Sequence, residues 1–378
     1  MKKVIYLFYT KVYDFEYEKY GLNLMKERGL EVESWSLEKI FFPHVYRKNS
    51  SGIKDGIRFM EIHNFLSFAK NVLIQKRRQT IFILQLPVHN INVNICEAII
   101  KLLGHKYCMT YTQPNLDEYT CRKLSYSNLK KIWWEDIMDR MFPPEYNFVA
   151  TKVNYLDFSS KDRIKKDNNV LIHTLDYDIY LKDKEKPRII EEKYMVFVDE
   201  YYPFHGDFDL LRIVNPIKKA EKYYERLNKL FTLLENIYGC EIVIAEHPRA
   251  DYSNKKELLY GRKHYKNITN RLIKDASLVV THASTAQDYI VLNKKEFLII
   301  YDSDIKNSEG WTGAYMPLIN FFEAKALNIS KNYCQKDIIK SVNCDKKNSY
   351  KKFYNKFIMG NEKNKMFFEV VINKISQL

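Results

Sequence analysis

Short apolar runs rich in Val and Ile alternate with helical stretches along most of the chain, and this rhythm limits the folds that it can adopt. Strands that alternate with crossover helices build a parallel sheet with helices on its faces. In the first half the predicted strands are 4–9, 31–36, 80–86, 106–112, 147–153 and 169–178. In the second half they are 194–198, 240–245, 278–281 and 296–301. The sequence therefore predicts an α/β protein.

A charged stretch without periodicity, LKDKEKPRIIEEK at 181–193, is typical of a linker between domains. A chain of 378 residues also exceeds the size at which a single core stops growing. We predict two Rossmann-like domains facing each other across a cleft, an acceptor-side domain at 1–185 and a nucleotide-sugar-binding domain at 194–345. Residues 346–378, which are rich in lysine, are predicted to form a basic helical tail.

Two strands of the second half end abruptly in polar residues, and the first is EIVIAEHPRA at 241–250. The carboxyl ends of strands line the ligand crevice of an open α/β sheet, and Pro248 restricts the backbone that holds His247 there. We interpret His247 as a group that stabilises or protonates a leaving phosphate, and Arg249 as a bidentate phosphate contact. The alternatives are a loop histidine that caps its own strand and a solvated arginine.

The second such segment, LVVTHASTAQDY at 278–289, places Ser284 and Thr285 where a strand turns into a helix. Hydroxyls and free backbone N–H groups at a helix start attract anions, so this pair is a candidate phosphate site. Asp288 follows about one turn later and is a candidate acceptor for a ribose or sugar hydroxyl. The alternatives are an ordinary helix N-cap and a solvated helix face. Together with His247, the segment indicates a nucleotide-phosphate pocket.

The loop VDEYYPFHGDFD at 198–209 follows another predicted strand and is rich in polar groups. Asp199, Glu200 and His205 are expected at the same sheet edge as His247. Neighbouring carboxylates push their pKa values apart, which suits acid/base chemistry. The alternative is a loop whose aromatic residues fill a wall of the domain.

Other carboxylates compete for the role of general base. Asp117 and Glu118 follow a strand end in the acceptor-side half, where a base that faces the donor is needed. Asp176 and Asp178, near the linker, are a third option. The triplet 302–304 (Asp-Ser-Asp) after the last strand is an Asp-x-Asp sequence, and it counts against the expectation of a site without metal.

The paired motifs of the second half resemble those of bacterial GT-B glycosyltransferases that use CMP-activated nonulosonic acids, the sialyltransferase and polysialyltransferase families. The resemblance rests on His247-Pro248 and Ser284-Thr285 and is best in the C-terminal half. It implies a GT-B-like fold, contact of His247 with the CMP phosphate or ribose, and phosphate binding by the two hydroxyls. Those families also carry an acidic pair that glycine usually follows. In this chain tyrosine follows both acidic pairs, 117–118 and 199–200.

We therefore predict a glycosyltransferase that moves a sialic acid-like sugar from a CMP donor to a surface glycan or a lipid-linked acceptor, with inversion. The CMP-sugar is a co-substrate, and neither a further cofactor nor a metal ion is expected. The runner-up is a CDP-alcohol glycerophosphotransferase of the teichoic-acid polymerase kind, which resembles this chain in its own His-Pro and Ser-Ser loops. The third alternative is a non-enzymatic basic protein that binds nucleic acid or membrane.

The net charge of +14 favours anionic partners, or else reflects a lysine-rich background composition. Lysine lacks the bidentate geometry that reads bases, and its excess over arginine argues against a nucleic-acid partner. Lysines interleaved with aromatic residues near the C-terminus suit a membrane surface. The six cysteines are scattered, without C-x-x-C spacing, which fits a reducing cytosol. We expect a cytoplasmic protein that can associate peripherally with the inner face of the cell membrane.

Overall fold

The structure is a computed structural model, and its described residues form two compact units. The first unit contains the described residues up to Leu175 together with Lys356–Leu378, and the second is Asp176–Asn355. None of the helices in the described part of the chain has the length and apolar character that crossing a bilayer requires. The described residues are 2–45, 52–86, 90–112, 137–138, 140–151, 168–306, 308, 311, 315–360 and 365–378.

The first unit is built on a sheet of eight described strands in the order β3-β4-β2-β1-β5-β6-β7-β8. All neighbouring pairs are parallel except β3 with β4. The central strands β1 and β5 are buried almost throughout, as expected for apolar runs in a parallel sheet with both faces covered. The strands are β1 Lys3–Phe8, β2 Glu31–Ser36, β3 Gly52–Lys54, β4 Ile57–Glu61, β5 Thr80–Gln85, β6 Lys106–Tyr111, β7 Tyr146–Ala150 and β8 Asn169–Ile172.

Helices cover both faces of this sheet. Alternate residues of β1 point to opposite faces, and each set packs into a separate apolar layer. Tyr6 and Phe368 belong to one layer, and Trp35 belongs to the other. Asn64 and Asn90 cap two helices, since each side chain accepts a hydrogen bond from a backbone N–H of the first turn. The described helices of the unit are Asp14–Lys19, Leu22–Glu27, Glu38–Phe41, Phe65–Leu73, Ile91–Leu102 and Phe367–Ile375.

The last helix of the chain, Phe367–Ile375, is part of the core of the first unit. Phe367 and Val371 are fully buried, and Phe368 is almost so. Gly21 permits this packing: its φ is 66°, and a Cβ at this position would stand 2.4 Å from the Phe368 ring. The structure thus divides the stretch that the sequence predicted as one basic tail. Its described apolar residues recur at helical spacing and are buried, whereas Lys351, Lys352 and Lys365 are exposed.

The second unit contains a sheet in the order β11-β10-β9-β12-β13-β14, in which these neighbours are all parallel. A short strand, β15, pairs antiparallel with β13. The strands are β9 Tyr194–Val198, β10 Glu241–Glu246, β11 His264–Lys266, β12 Val279–Thr281, β13 Phe297–Tyr301, β14 Ala326–Asn328 and β15 Val342–Asn343. The α-helices are Leu175–Asp183, Asp207–Leu211, Ala220–Tyr238, Thr269–Asp275, Gln287–Leu292, Ser303–Lys306, Met316–Phe322, Gln335–Ser341 and Ser349–Phe353.

The two units meet in sequence between Leu175 and Asp176, before the predicted linker at 181–193. The difference has a physical reason, because the helix that begins here is bonded to the second unit. The Asp176 carboxylate accepts a hydrogen bond from the Tyr289 hydroxyl at 2.7 Å. The charge pattern of residues 181–193 is local and cannot indicate a hydrogen bond to a residue so far along the chain.

Candidate functional site

Polar side chains follow four neighbouring strands of the second unit. Strands β10, β9, β12 and β13 are adjacent and parallel, so their carboxyl ends share one edge of the sheet. Asp199-Glu200 follows β9, His247 follows β10, His282 follows β12 and Asp302 follows β13. This edge is where an open α/β sheet binds ligands.

Two imidazoles meet at this edge. The Nε2 atoms of His205 and His247 lie 3.4 Å apart, and their ring centroids lie 4.7 Å apart. The Nδ1 atom of His205 accepts the backbone N–H of Asp207 at 3.3 Å, and the Nδ1 atom of His247 accepts that of Arg249 at 3.2 Å. Each Nδ1 contact favours a ring that carries its proton on Nε2, whereas the direct Nε2–Nε2 hydrogen bond needs one of the two rings to accept there. The pair therefore places two imidazole nitrogens in one small region, an arrangement that suits an anionic oxygen.

An ion pair supports the two rings. Arg249 donates to the Asp207 carboxylate at 2.7 Å, which joins the loops that carry the two histidines. Burial lowers the pKa of His205, the nearby Asp207 carboxylate opposes that shift, and Arg249 adds to it. His205 is therefore a neutral hydrogen-bond donor near pH 7. Arg249 already has an anionic partner, so a bound phosphate would share it with Asp207.

The acidic pair after β9 divides into a buried member and an accessible member. Asp199 is 2% exposed and accepts hydrogen bonds from the Tyr252 hydroxyl at 2.6 Å and the Tyr201 N–H at 2.9 Å. The Tyr252 hydroxyl in turn bonds that of Tyr224 at 2.8 Å. Burial raises the pKa of Asp199 to about 6, although both bonds oppose the shift. Its oxygens are engaged within the fold and are poorly placed to receive a substrate proton.

Glu200, by contrast, is partly exposed and hydrogen bonded to Ser284. Burial, with a contribution from the charge of Asp199, raises the pKa of Glu200 to about 7, and the bond from Ser284 opposes this rise. The residue after it, Tyr201, has a φ of 50°, which is uncommon for a side chain of its size. A carboxylate with a pKa near the working pH has the property that a general base needs.

The turn after β12 is arranged differently from a simple helix cap. Ser284 accepts a hydrogen bond from the Ala286 N–H at 3.2 Å, and Ala286, not a hydroxyl residue, is the N-cap of the short helix that follows. Thr285 is exposed to solvent, whereas Asp288 is only 3% exposed. Ser284 thus connects the turn to Glu200, Thr285 is open to a ligand, and Asp288 faces the protein interior.

Sequence reasoning missed a buried histidine beside this turn. His282 is 1% exposed; its Nε2 bonds the Tyr223 hydroxyl at 2.6 Å, and its Nδ1 lies 2.7 Å from the Tyr315 hydroxyl and 3.0 Å from the Ile300 carbonyl oxygen. Burial lowers the pKa of His282 to about 4, so the ring is neutral. The signal in the sequence was a histidine at the end of an apolar strand, but its tyrosine partners are distant in the chain. The ring fixes the start of the turn that carries Ser284.

The remaining predicted carboxylates have other partners or lie elsewhere. Asp302 is fully buried and forms an ion pair with Arg226, which also donates to Ser330 at 3.2 Å. Asp176 is bonded to Tyr289, and Asp178 is buried. The candidate base pair 117–118 lies outside the described residues.

Comparisons by sequence find no matching family model and no matching curated protein. Solved structures do match. The wall teichoic acid polymerase TagF is 12% identical with a TM-score of 0.53, and the match covers 100% of this chain and 90% of that one. A putative UDP-N-acetylglucosamine 2-epimerase from Listeria monocytogenes is 12% identical, with a TM-score of 0.54 and coverages of 100% and 96%. The Methanocaldococcus jannaschii UDP-GlcNAc 2-epimerase, in complex with UDP-GlcNAc and UDP, is 11% identical, with a TM-score of 0.51 and complete coverage of both chains. At these identities the likeness shows the fold, which is GT-B-like, with two parallel-sheet α/β units.

Proposed function

We propose that the chain is a transferase that releases CMP from a cytidine-nucleotide donor, and that the donor is a CMP-activated, sialic acid-like sugar. The observation that carries the proposal is the pair of imidazoles of His205 and His247, whose Nε2 atoms lie 3.4 Å apart at the carboxyl edge of the sheet. Two preorganised hydrogen-bond donors in a partly buried site stabilise charge that develops on a phosphate oxygen. The motif resemblance of His247-Pro248 and Ser284-Thr285 supports the choice of CMP.

In the proposed reaction the acceptor hydroxyl attacks the anomeric carbon of the sugar. The bond from that carbon to the phosphate oxygen breaks, and its electron pair leaves with CMP. Glu200 takes the proton of the attacking hydroxyl, while the two imidazoles donate hydrogen bonds to the departing phosphate. A single displacement of this kind inverts the configuration at the anomeric carbon. Thr285, which is exposed at the same edge, supplies a further hydroxyl for the phosphate.

A second candidate function is favoured by the fold comparison. TagF, one of the similar structures, is also recorded after a soak with CDPG, at a TM-score of 0.54 and 12% identity. In the reaction of a CDP-alcohol phosphotransferase the acceptor hydroxyl attacks phosphorus rather than carbon, but CMP is again the leaving group. The same imidazole pair would then stabilise the same leaving group. The two candidates differ in the group transferred, sugar or glycerol phosphate, and agree in the nucleotide.

For the acceptor we propose a surface glycan or a lipid-linked glycan, reached from the cytoplasm. The chain is basic, with a net charge of +14, and such acceptors are presented at or near an anionic membrane. This part of the proposal concerns where the reaction occurs, and its test is separate from that of the nucleotide.

The nucleotide is tested by thermal stabilisation with CMP, CDP, UMP, UDP and GDP. We expect CMP and CDP to stabilise the protein, by about 2.7 kcal/mol at a hundredfold excess over Kd. His247→Ala and His205→Ala should each reduce the effect, whereas His63→Ala, an exposed histidine of the first unit, should leave it unchanged. Selective stabilisation by UDP would contradict the proposal. Release of CMP from a CMP-sugar or from CDP-glycerol then separates the two candidates.

A further inference from the structure

The first unit carries a surface that its own fold does not explain. Three aliphatic side chains are strongly exposed at one place: Leu66 by 67%, Leu73 by 55% and Ile74 by 74%. Leu66 and Leu73 are seven residues apart, so they lie on the same face of the helix Phe65–Leu73. The opposite face of that helix carries Phe68, which is fully buried in the core.

Basic residues border these aliphatic side chains. Lys76, Arg77 and Arg78 follow directly after the helix, and all three are exposed. Lys70 lies on the same helix face as Leu66 and Leu73. The whole stretch 65–80 contains four basic residues and no carboxylate. We call Leu66, Leu73, Ile74, Lys76, Arg77 and Arg78 the basic–apolar patch.

The patch extends onto a neighbouring helix. The Arg77 side chain lies beside Gly104, just after the helix Ile91–Leu102, whose last residue, Leu102, is 73% exposed. A fourth strongly exposed aliphatic residue, Leu102, therefore lies two residues before the glycine that the Arg77 side chain approaches. Large aliphatic side chains concentrated in this way mark an interaction surface, since scattered exposure would be the ordinary case.

We propose that the basic–apolar patch binds the surface of an anionic phospholipid bilayer. Aliphatic side chains on one helix face are buried at the boundary of headgroups and acyl chains, while Lys and Arg around them pair with anionic headgroups. A nucleic acid would neutralise the cations but leave the aliphatic side chains in water, and the patch lacks exposed aromatic rings on which bases stack. The charge and the apolar area are thus both satisfied by a bilayer. The inference does not depend on the proposed transferase activity.

The test is co-sedimentation of the full chain with vesicles of phosphatidylcholine alone and of equal parts phosphatidylcholine and phosphatidylglycerol. We expect binding only to the anionic vesicles. Each basic residue near the surface contributes about fivefold to the affinity, so the triple variant K76S/R77S/R78S should bind about 100-fold more weakly. A double variant, L73S/I74S, should also weaken binding while leaving its salt dependence unchanged, because it removes no charge. All five positions are exposed, so both variants are expected to fold, which circular dichroism checks.

The matched control is K229S/K256S/K263S, which removes the same charge from exposed lysines of the second unit that lie outside the lysine-rich C-terminal segment. It should keep its affinity for anionic vesicles within about twofold. Equal loss in the control and in the patch triple would overturn the proposal in favour of net charge alone. Tight binding of an RNA duplex without vesicle binding, unaffected by L73S/I74S, would overturn it in favour of a nucleic-acid surface.

Discussion

The pKa of Glu200, raised to about 7, gives the sharpest prediction for the proposed reaction. If Glu200 is the base, kcat/KM should rise with pH because only the carboxylate form accepts the proton. The ionised fraction of a group with this pKa increases about tenfold between pH 6 and pH 8, and kcat/KM should follow it. Replacing Glu200 with Gln should lower kcat/KM by about 10²- to 10⁴-fold and remove this limb of the profile.

The neighbours of Glu200 supply two opposite perturbations that test the assignment. Ser284 holds the pKa down through its hydrogen bond, so Ser284→Ala should move the limb to higher pH. The charge of Asp199 holds the pKa up, so Asp199→Asn should move the limb to lower pH. The assay is release of CMP from the donor that first passes the stabilisation test. A limb that survives Glu200→Gln, or that moves in the same direction in both neighbours' variants, would refute the reasoning.

Three further predictions concern stability. The pKa of Asp199 in the folded protein is about 6, above its ordinary value of 3.8, so the stability that this group contributes is present below pH 4 and is lost as pH rises through 6. Asp199→Asn should remove this pH dependence, which amounts to about 3 kcal/mol in the free energy of unfolding measured with urea. Glu257→Gln is the control. Phe368→Ala should cost about 3–5 kcal/mol by calorimetry, whereas a separate tail would show no loss. Arg226→Met should cost about 3–5 kcal/mol by leaving the buried Asp302 unpaired, and R226M/D302L should recover most of it; no recovery would contradict this account.

Much of the fold could be predicted because it depends on local patterns of apolar and polar residues. Apolar β-branched runs such as β5 and β10 are buried strands, and the helical spacing between them produces parallel neighbours. The same logic predicted that Glu200, His205 and His247 would share a sheet edge, and the structure places them there. Parallel strands bring their carboxyl ends together whatever residues follow them.

The sequence did not reveal which of two adjacent carboxylates would be accessible. Asp199 and Glu200 differ because Tyr252 bonds the first and Ser284 bonds the second, and both partners are more than fifty residues away in the chain. The same limit applies to His282, whose partner Tyr223 lies on a helix far back in the sequence. The last helix was predicted only as part of a basic tail, because the core that buries its apolar face is formed by residues far away in the chain.

The histidine pair links the fold to the proposed chemistry. Backbone N–H groups donate to Nδ1 of both His205 and His247, which favours a proton on Nε2, the nitrogen of each ring that faces the other ring. Two N–H donors cannot hydrogen bond to each other. Either one ring gives up its backbone bond and changes tautomer, or both donors find a common acceptor. In the proposed reaction, a phosphate oxygen accepts from both rings without disturbing either backbone bond. The geometry of the pair thus supports the proposed role in stabilising a leaving phosphate.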